Sequence, residues 1–338
     1  MSQVTITLPD GSDHSFDKGV TALDVAQSIG DRLANDTVAA SVNDVLVDAM
    51  QPINENSSLV IHTGSSKIGH DVLLHSAAHL MAQAVKKFWP NAQMTIGPVV
   101  DNRFYYDFDI EGTFSDEDLL KIEKEMHVIS KQNYEVSRKD LSRKEAIKIF
   151  TDLKENYKVE IINEIDDSDS ISAYLQGDFI DLCRGPHVPN TGRLKYFKLL
   201  STSGAYWRGN ENNKMLQRIY GTAFSSKAEL KKYLHFLKEA KKRDHRKLGK
   251  ELEIFTFDNE VGPGLPLWLP NGGIILNELE SLAKATEDKH GYFQVRTPHL
   301  TKADLYKKSG HLDLYKDAMY PAMDVDGTDY YVKPMNCP

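Results

Sequence analysis

The sequence predicts a multidomain protein of the α+β class. Its 338 residues exceed the size of one typical domain. Strand-like alternation and helical periodicity also occur together along the chain, which indicates mixed strands and helices. The pattern predicts a small N-terminal domain (1–63), an α+β domain (64–224), a basic connecting helix (225–250) and a third, unfinished domain (251–338).

Composition restricts the function classes. The chain carries 41 Lys and Arg against 49 Asp and Glu, a net charge of −8, so contacts with nucleic acid must come from local basic patches. Its two cysteines, Cys183 and Cys337, form no disulfide framework, which is typical of a reducing compartment. No segment has the length and apolarity of a membrane span, and the N-terminus lacks a signal-peptide pattern. We therefore expect a cytoplasmic protein with no membrane association.

The first 63 residues predict a β-grasp domain. Residues 4–8 alternate as a strand, and the Pro-Asp-Gly sequence after them is typical of a hairpin turn. Thr21 and Asp24 have the spacing of a capping box and predict a helix start. Two more strand patterns follow, and the resulting β-β-α-β-β order is more often found in binding domains than in enzymes.

The second domain begins with an apolar-periodic run over residues 71–89, which Pro90 stops. This run predicts a helix, and the spacing of His75 and His79 places both imidazoles on one face of it. A pair of histidines at this spacing is more often a packing or surface feature than a site. No Glu follows His75, so the zinc-protease pattern H-E-x-x-H is excluded.

A second polar group of residues lies about a hundred positions further on. Asp181 and Cys183 share one face of a predicted strand, Gly185-Pro186 turns the chain, and His187 falls on the loop that follows. If this loop meets the histidine helix, the histidines and the cysteine form a cluster that suits either a zinc site or a hydrolytic pocket.

Three further patterns describe the rest of the chain. Residues 157–163 alternate and predict a strand, while residues 274–290 predict a long helix followed by a strand at 291–298 that Pro298 ends. Residues 225–250 are rich in Lys and Arg. They predict either a solvated connecting helix or a stripe that follows a phosphate backbone by counterion release.

Several longer motifs resemble a known family over nearly the whole chain. They include Leu-Pro-Asp-Gly (8–11), His-Ser-Ala-Ala-His (75–79), Asp-Leu-Cys-Arg-Gly-Pro-His-Val-Pro-Asn (181–190), Gly-Ala-Tyr-Trp-Arg-Gly (204–209) and Lys-Pro-Met-Asn-Cys-Pro (333–338). In this order they resemble the N-terminal portion of a bacterial-type threonyl-tRNA synthetase, a class II enzyme. The resemblance implies a TGS domain, an editing domain and the start of the antiparallel-sheet catalytic domain.

The resemblance also implies functions and site residues. The family attaches threonine to tRNA(Thr) with ATP and hydrolyses mischarged Ser-tRNA(Thr). The residues of this chain that match the family's editing site are His75, His79, Lys158, Asp181, Cys183 and His187. Tyr106 or its neighbour Tyr105 matches a further pocket residue. The resemblance implies water-based hydrolysis without an obligatory metal at this site.

Cofactors and partners follow from the same resemblance. Cys337 matches one ligand of the Zn²⁺ in the synthetic site, which uses ATP and Mg²⁺ in the full-length enzyme. Pro298 matches the proline of class II motif 1, at a homodimer interface. Motifs 2 and 3 do not occur in residues 1–338, so we expect no threonyl-adenylate formation by this chain. Two alternatives are a non-catalytic tRNA- or mRNA-binding module and a zinc-dependent hydrolase of aminoacyl esters.

Overall fold

Two units make up the computed structural model, Met1–Glu239 and Ala240–Pro338. It describes residues 3–335 and 337. The division between the units falls inside the predicted basic connecting helix, and the predicted domain boundaries stay predictions. None of the described helices is long and apolar enough to cross a membrane.

The first part of unit 1 is a twisted sheet with a short helical segment packed on it. The sheet has the order β2-β1-β7-β4-β5, in which β1 and β7 are parallel and the other neighbours antiparallel. Thr21 caps the first helix through the predicted capping box with Asp24. The elements are β1 (Gln3–Thr7), β2 (Asp13–Asp17), β3 (Val20–Thr21), α1 (Ala22–Ile29), α2 (Asp31–Asp36), β4 (Thr37–Val42), β5 (Val45–Asp48), β6 (Pro52–Ile53) and β7 (Ser57–Thr63).

The second part of unit 1 packs one long helix against an antiparallel sheet. That helix, α3 (Lys67–Phe88), is capped by Ser66 and is buried along most of its length, where alanines allow neighbours to approach closely. The other elements of this second part are β8 (Gln93–Met94), β9 (Val99–Val100), β10 (Arg103–Asp109), α4 (Asp116–Gln132), β11 (Val136–Leu141), α5 (Arg143–Asp152), α6 (Asn156–Glu164), β12 (Ile171–Gln176), β13 (Phe179–Leu182), β14 (Tyr196–Tyr206) and β15 (Met215–Phe224).

Two sheets organise these elements. One has the order β14-β15-β10-β8, with β9 also on β10, and the smaller one has the order β11-β12-β13. Helix α3 precedes both sheets in the chain and contributes to the main hydrophobic core, so it is a rigid support for the side chains that it carries.

The predicted strand at 157–163 is wrong, because this segment lies in helix α6. The buried residues of the segment and its N-cap are Glu155, Lys158 and Ile162, which recur at helical spacing. Two of the three are charged, so the apolar pattern alone suggested a strand. As a result, Lys158 reaches the interior from a helix.

The basic segment is two helices, α7 (Lys227–Lys242) and α8 (His245–Glu251). The single continuous helix predicted for 225–250 is therefore interrupted. Asp244 lies at the break, where its side chain accepts a hydrogen bond from the Arg246 amide and caps α8.

The rest of unit 2 contains β16 (Phe255–Thr256), β17 (Leu267–Trp268), α9 (Pro270–Lys289), β18 (Leu300–Lys302), α10 (Ala303–Lys308), α11 (His311–Leu314), β19 (Met323–Val325) and β20 (Thr328–Val332). The predicted strand at 291–298 is wrong. Within the described residues it has no ladder partner, and Phe293 is 93% exposed, so nothing stabilises an extended conformation there. The predicted multidomain α+β class is confirmed.

Candidate functional site

Two histidines and a loop from another part of the domain meet beside α3. The i, i+4 spacing on this helix brings the rings of His75 and His79 to 5.1 Å centroid separation. Strand β13 ends in a loop that places Cys183 Sγ 2.9 Å from His75 Nε2 and 3.3 Å from His187 Nε2. The His187 ring lies 4.3 Å from that of His79. The two sequence motifs thus form one cluster.

The loop is held against α3 by hydrogen bonds that the sequence pattern did not predict. Ser76 Oγ lies 3.1 Å from His187 Nδ1 and also accepts a hydrogen bond from the Val188 amide at 3.1 Å. This contact orients the imidazole so that Nε2 points at Cys183. The Cys183 sulfur in turn accepts a hydrogen bond from the Gly185 amide.

A charged network lies behind the cluster. Asp181, which is 0% exposed, forms an ion pair with Lys158, whose Nζ lies 2.6 Å from Oδ1. Tyr106 donates a hydrogen bond to Asp181 Oδ2 at 2.6 Å and accepts one from Lys158 at 2.8 Å. His79 Nδ1 lies 3.4 Å from the same carboxylate. The network links α3, β10, α6 and β13.

Tyr106, rather than Tyr105, lies next to the site. Alternation along β10 buries Tyr106, while Tyr105 carries the guanidinium of Arg218 over its ring at 3.7 Å. Arg218 itself forms a bidentate ion pair with Asp107. The second of the two predicted tyrosine alternatives therefore lies on the other face of the strand.

Burial sets the protonation states of the cluster. It lowers the pKa of His75, and it lowers the pKa values of His79 and His187 well below their ordinary range, aided by the neighbouring imidazoles. Burial also raises the pKa of Cys183 to about 12 and the pKa of Tyr106 well above its usual value. At neutral pH the imidazoles are therefore uncharged bases and the thiol is protonated.

The same four residues can hold a metal ion. One donor atom from each of His75, His79, Cys183 and His187 lies within 4.8 Å of all the others, and three nitrogens with one sulfur suit zinc. Cys337 is an exposed free cysteine of unit 2, and its Sγ lies 3.7 Å from His311 Nε2. These two donors are fewer than the three protein ligands of a catalytic zinc site.

Comparisons with known proteins identify the domains. Residues 4–63 match the TGS domain, and residues 171–220 match the threonyl and alanyl tRNA synthetase second additional domain. The second match places residues 171–220 in a class of domain that accompanies aminoacyl-tRNA synthetases.

Whole sequences of similar proteins give a narrower comparison than the two domain matches. The chain is 50% identical over 335 residues to a threonine–tRNA ligase of Geobacillus sp. (strain WCH70), covering 99% of this chain and 52% of the relative. It is 51% identical over 333 residues to that of Marinobacter nauticus, covering 98% and 52%, and 50% identical over 339 residues to that of Staphylococcus aureus (strain Newman), covering 100% and 52%.

The chain spans about half the length of these curated relatives. The resemblance to the N-terminal portion of threonyl-tRNA synthetase is confirmed: the chain is similar to threonine–tRNA ligases throughout its length, and it carries the two domains that the motifs predicted.

Proposed function

We propose that the cluster on residues 64–224 is an editing site that hydrolyses Ser-tRNA(Thr). The observation that carries this proposal is the convergence of uncharged imidazoles on Cys183, directly beside the buried Lys158–Asp181 pair. The similarity to threonine–tRNA ligases supplies the substrate class. The longer protein would attach threonine to tRNA(Thr) with ATP and Mg²⁺.

The chemistry of threonine explains why such a site is needed. Serine differs from threonine by one methyl group, which is worth only about 1–3 kcal/mol of discrimination in a binding pocket. A synthetic site therefore releases some mischarged product. A second pocket that admits the hydroxymethyl side chain and excludes the extra methyl group removes it by hydrolysis.

The cluster supports attack by water on the aminoacyl ester. An uncharged imidazole takes a proton as the water oxygen bonds to the carbonyl carbon, and the ester C–O bond then breaks. The proton passes to the ribose oxygen, which leaves as a hydroxyl group, and serine and tRNA are the products. Lys158 would stabilise developing negative charge, a role that its ion pair with Asp181 beside the imidazoles supports. Asp181 fixes Lys158 and faces His79, which supports an orienting role.

Cys183 has a supporting role in this reaction. Its protonated thiol is a poor nucleophile, because the thiolate is the reactive form. The sulfur lies between the imidazoles of His75 and His187 and can position the attacking water. No covalent intermediate is required.

A cleft beside the site suits the 3′ end of a tRNA. It has a volume of about 660 Å³ and runs between β5 of the N-terminal domain and the loop at Gly185 and Pro186. Arg138 and Arg184 line it together with Asp48, Glu135 and Asp140, and each arginine is ion-paired with an aspartate that a phosphate group would have to replace. The Lys- and Arg-rich helices α7 and α8 supply further cations for tRNA.

Partners and location extend the proposal. On α9 the apolar side chains of Ile274, Leu279 and Leu282 are 57–65% exposed, which supports a homodimer interface near Pro298. Cys183 and Cys337 are both free, which suits the reducing cytoplasm. In the longer protein, Cys337 would be one ligand of the synthetic-site zinc, together with donors outside this chain.

Serine release by the 338-residue chain tests the editing reaction. We expect His75→Ala and Lys158→Met to lose most of the turnover of Ser-tRNA(Thr), because they remove a base and a charge from the pocket. The matched control is His14→Ala, since His14 is an exposed histidine on β2. Binding of tRNA with no serine release by the unmodified chain would instead favour a non-catalytic RNA-binding module.

A second candidate is a zinc-dependent aminoacyl ester hydrolase, which the donor cluster favours. Purified chain should then contain one zinc per chain, and the zinc should be lost in His75→Ala. For the water-based site we expect turnover to survive treatment with a chelator. Turnover that disappears with the metal and returns when zinc is added would favour the second candidate.

A further inference from the structure

One carboxylate of the N-terminal domain reaches into the loop of the candidate site. Asp48, the last residue of β5, accepts a hydrogen bond from the backbone N–H of His187 at 2.8 Å. Its other oxygen accepts a hydrogen bond from the hydroxyl group of Tyr174, at 2.7 Å. Both donors belong to the second domain, more than 120 positions away in the chain.

Tyr174 couples this carboxylate to the rest of the loop. Its ring packs edge-on against the His187 imidazole, with centroids 4.4 Å apart. Its hydroxyl group lies so close to Gly185 that a Cβ added to the glycine would be 1.8 Å from the oxygen. Asp48 therefore touches the loop directly at His187 and indirectly, through Tyr174, at Gly185.

The loop is also fixed on either side of His187: the Arg184 carbonyl accepts a hydrogen bond from Arg138, and the Pro189 carbonyl accepts one from the Val136 amide. Ser76 holds His187 Nδ1 and the Val188 amide from the α3 side. Ser172 makes two hydrogen bonds with Cys183: its hydroxyl group donates to the Cys183 carbonyl at 2.6 Å, and its carbonyl accepts from the Cys183 amide at 3.1 Å. Between these points, the Asp48 carboxylate makes the contact with the His187 backbone. A hydrogen bond to an ionised carboxylate is about twice as strong as a neutral one.

We infer that Asp48 is a positioning residue for the candidate site. Through the His187 amide and Tyr174, the N-terminal domain sets where the loop presents Cys183 and His187 to α3. The effect on turnover rests on the proposed editing function, whereas the effect on the loop does not. The N-terminal domain is then a part of the pocket's support and not only a binding accessory.

Four variants of the full 338-residue chain test this inference. Asp48→Ala removes both acceptors, and Tyr174→Phe removes only the hydroxyl donor. Asp48→Asn keeps one carbonyl oxygen for the His187 amide and is the conservative rescue. Asp17→Ala is the matched control, because Asp17 is an exposed acid on β2 of the same domain.

The first measurement separates kcat from KM in the release of serine from Ser-tRNA(Thr). We expect Asp48→Ala to lower kcat by about 30- to 100-fold with KM changed by less than about threefold, because a misplacement of about 1 Å costs about this much. Asp48→Asn should recover most of the loss, and Asp17→Ala should match the unmodified chain. An unchanged kcat in Asp48→Ala overturns the inference.

Two measurements need no catalytic activity. Hydrogen exchange of the His187 amide and alkylation of the Cys183 thiol, both resolved by peptide mass spectrometry, should accelerate at least tenfold in Asp48→Ala, with only small changes elsewhere. An equal acceleration across both domains would mean general destabilisation and would contradict a positioning role. If the unmodified chain releases no serine, the editing proposal fails, and these two measurements alone decide the role of Asp48.

Discussion

The buried pair of Lys158 and Asp181 gives the sharpest prediction for stability. Their side chains are 3% and 0% exposed and lie 2.6 Å apart, so both charges have lost their water. Lys158→Met leaves the carboxylate with the Tyr106 hydroxyl as its main remaining donor. Asp181→Asn leaves the ammonium group without a counter-charge. Each variant strands one buried charge.

The expected cost is large for a single substitution. Removing one partner of a buried ion pair costs about 3–5 kcal/mol. In a unit of about 240 residues, 1 kcal/mol shifts the melting temperature by about 2–4 °C, so we expect a loss of about 6–20 °C. The double variant Lys158→Met/Asp181→Asn strands no charge. Its loss of unfolding free energy should therefore be about 2 kcal/mol smaller than the summed losses of the two single variants.

Calorimetric melting at pH 7 measures these shifts, and urea unfolding gives the free energies. The control is Arg32→Met, which breaks an ion pair whose arginine is 98% exposed and should leave the midpoint unchanged. Serine release should be lost in the single variants and should stay lost in the double variant. If each single variant unfolds with a free energy within about 1 kcal/mol of that of the unmodified chain, and the two effects add, then the pair is not a desolvated ion pair.

Three further outcomes follow. Cys183→Ala should keep serine release within about tenfold, because the thiol is protonated; a loss of about 10⁴-fold would indicate a thiol nucleophile. Gly185→Ala should lower the free energy of unfolding by at least about 2 kcal/mol, since the φ of Gly185 is +74° and a Cβ would overlap Tyr174. The control Gly11→Ala should cost about 1 kcal/mol, because Gly11 has a φ of +82° but open space around it. Equal costs in urea unfolding would contradict this. ATP–pyrophosphate exchange by this chain should be undetectable, and measurable exchange would overturn the expectation for the third domain.

The sequence was most informative where local chemistry and spacing decide the structure. The Thr21 capping box, the helix under His75 and His79, and the alternation that buries Asp181 all follow from short-range rules. These rules left open whether the helix and the loop meet, and the family resemblance favoured it. The family motifs then supplied the positions of Lys158 and Tyr106.

Other parts depend on contacts between distant residues. The apolar pattern does not predict helix α6, because its N-cap Glu155 and its helical residue Lys158 are both charged and buried, and their burial depends on partners elsewhere. The roles of Ser76 and Asp48 were missed because nothing in their local sequence marks them. Only the fold brings Asp48 to the His187 amide, across 139 positions.

The most direct test of the editing pocket compares two substrates on the same chain. Hydrolysis of Ser-tRNA(Thr) and of Thr-tRNA(Thr) is followed by release of the labelled amino acid under identical conditions. We expect that serine is released and threonine stays attached, with rates that differ by at least about tenfold. Equal hydrolysis of the two, or none of either, would contradict a pocket that excludes one methyl group.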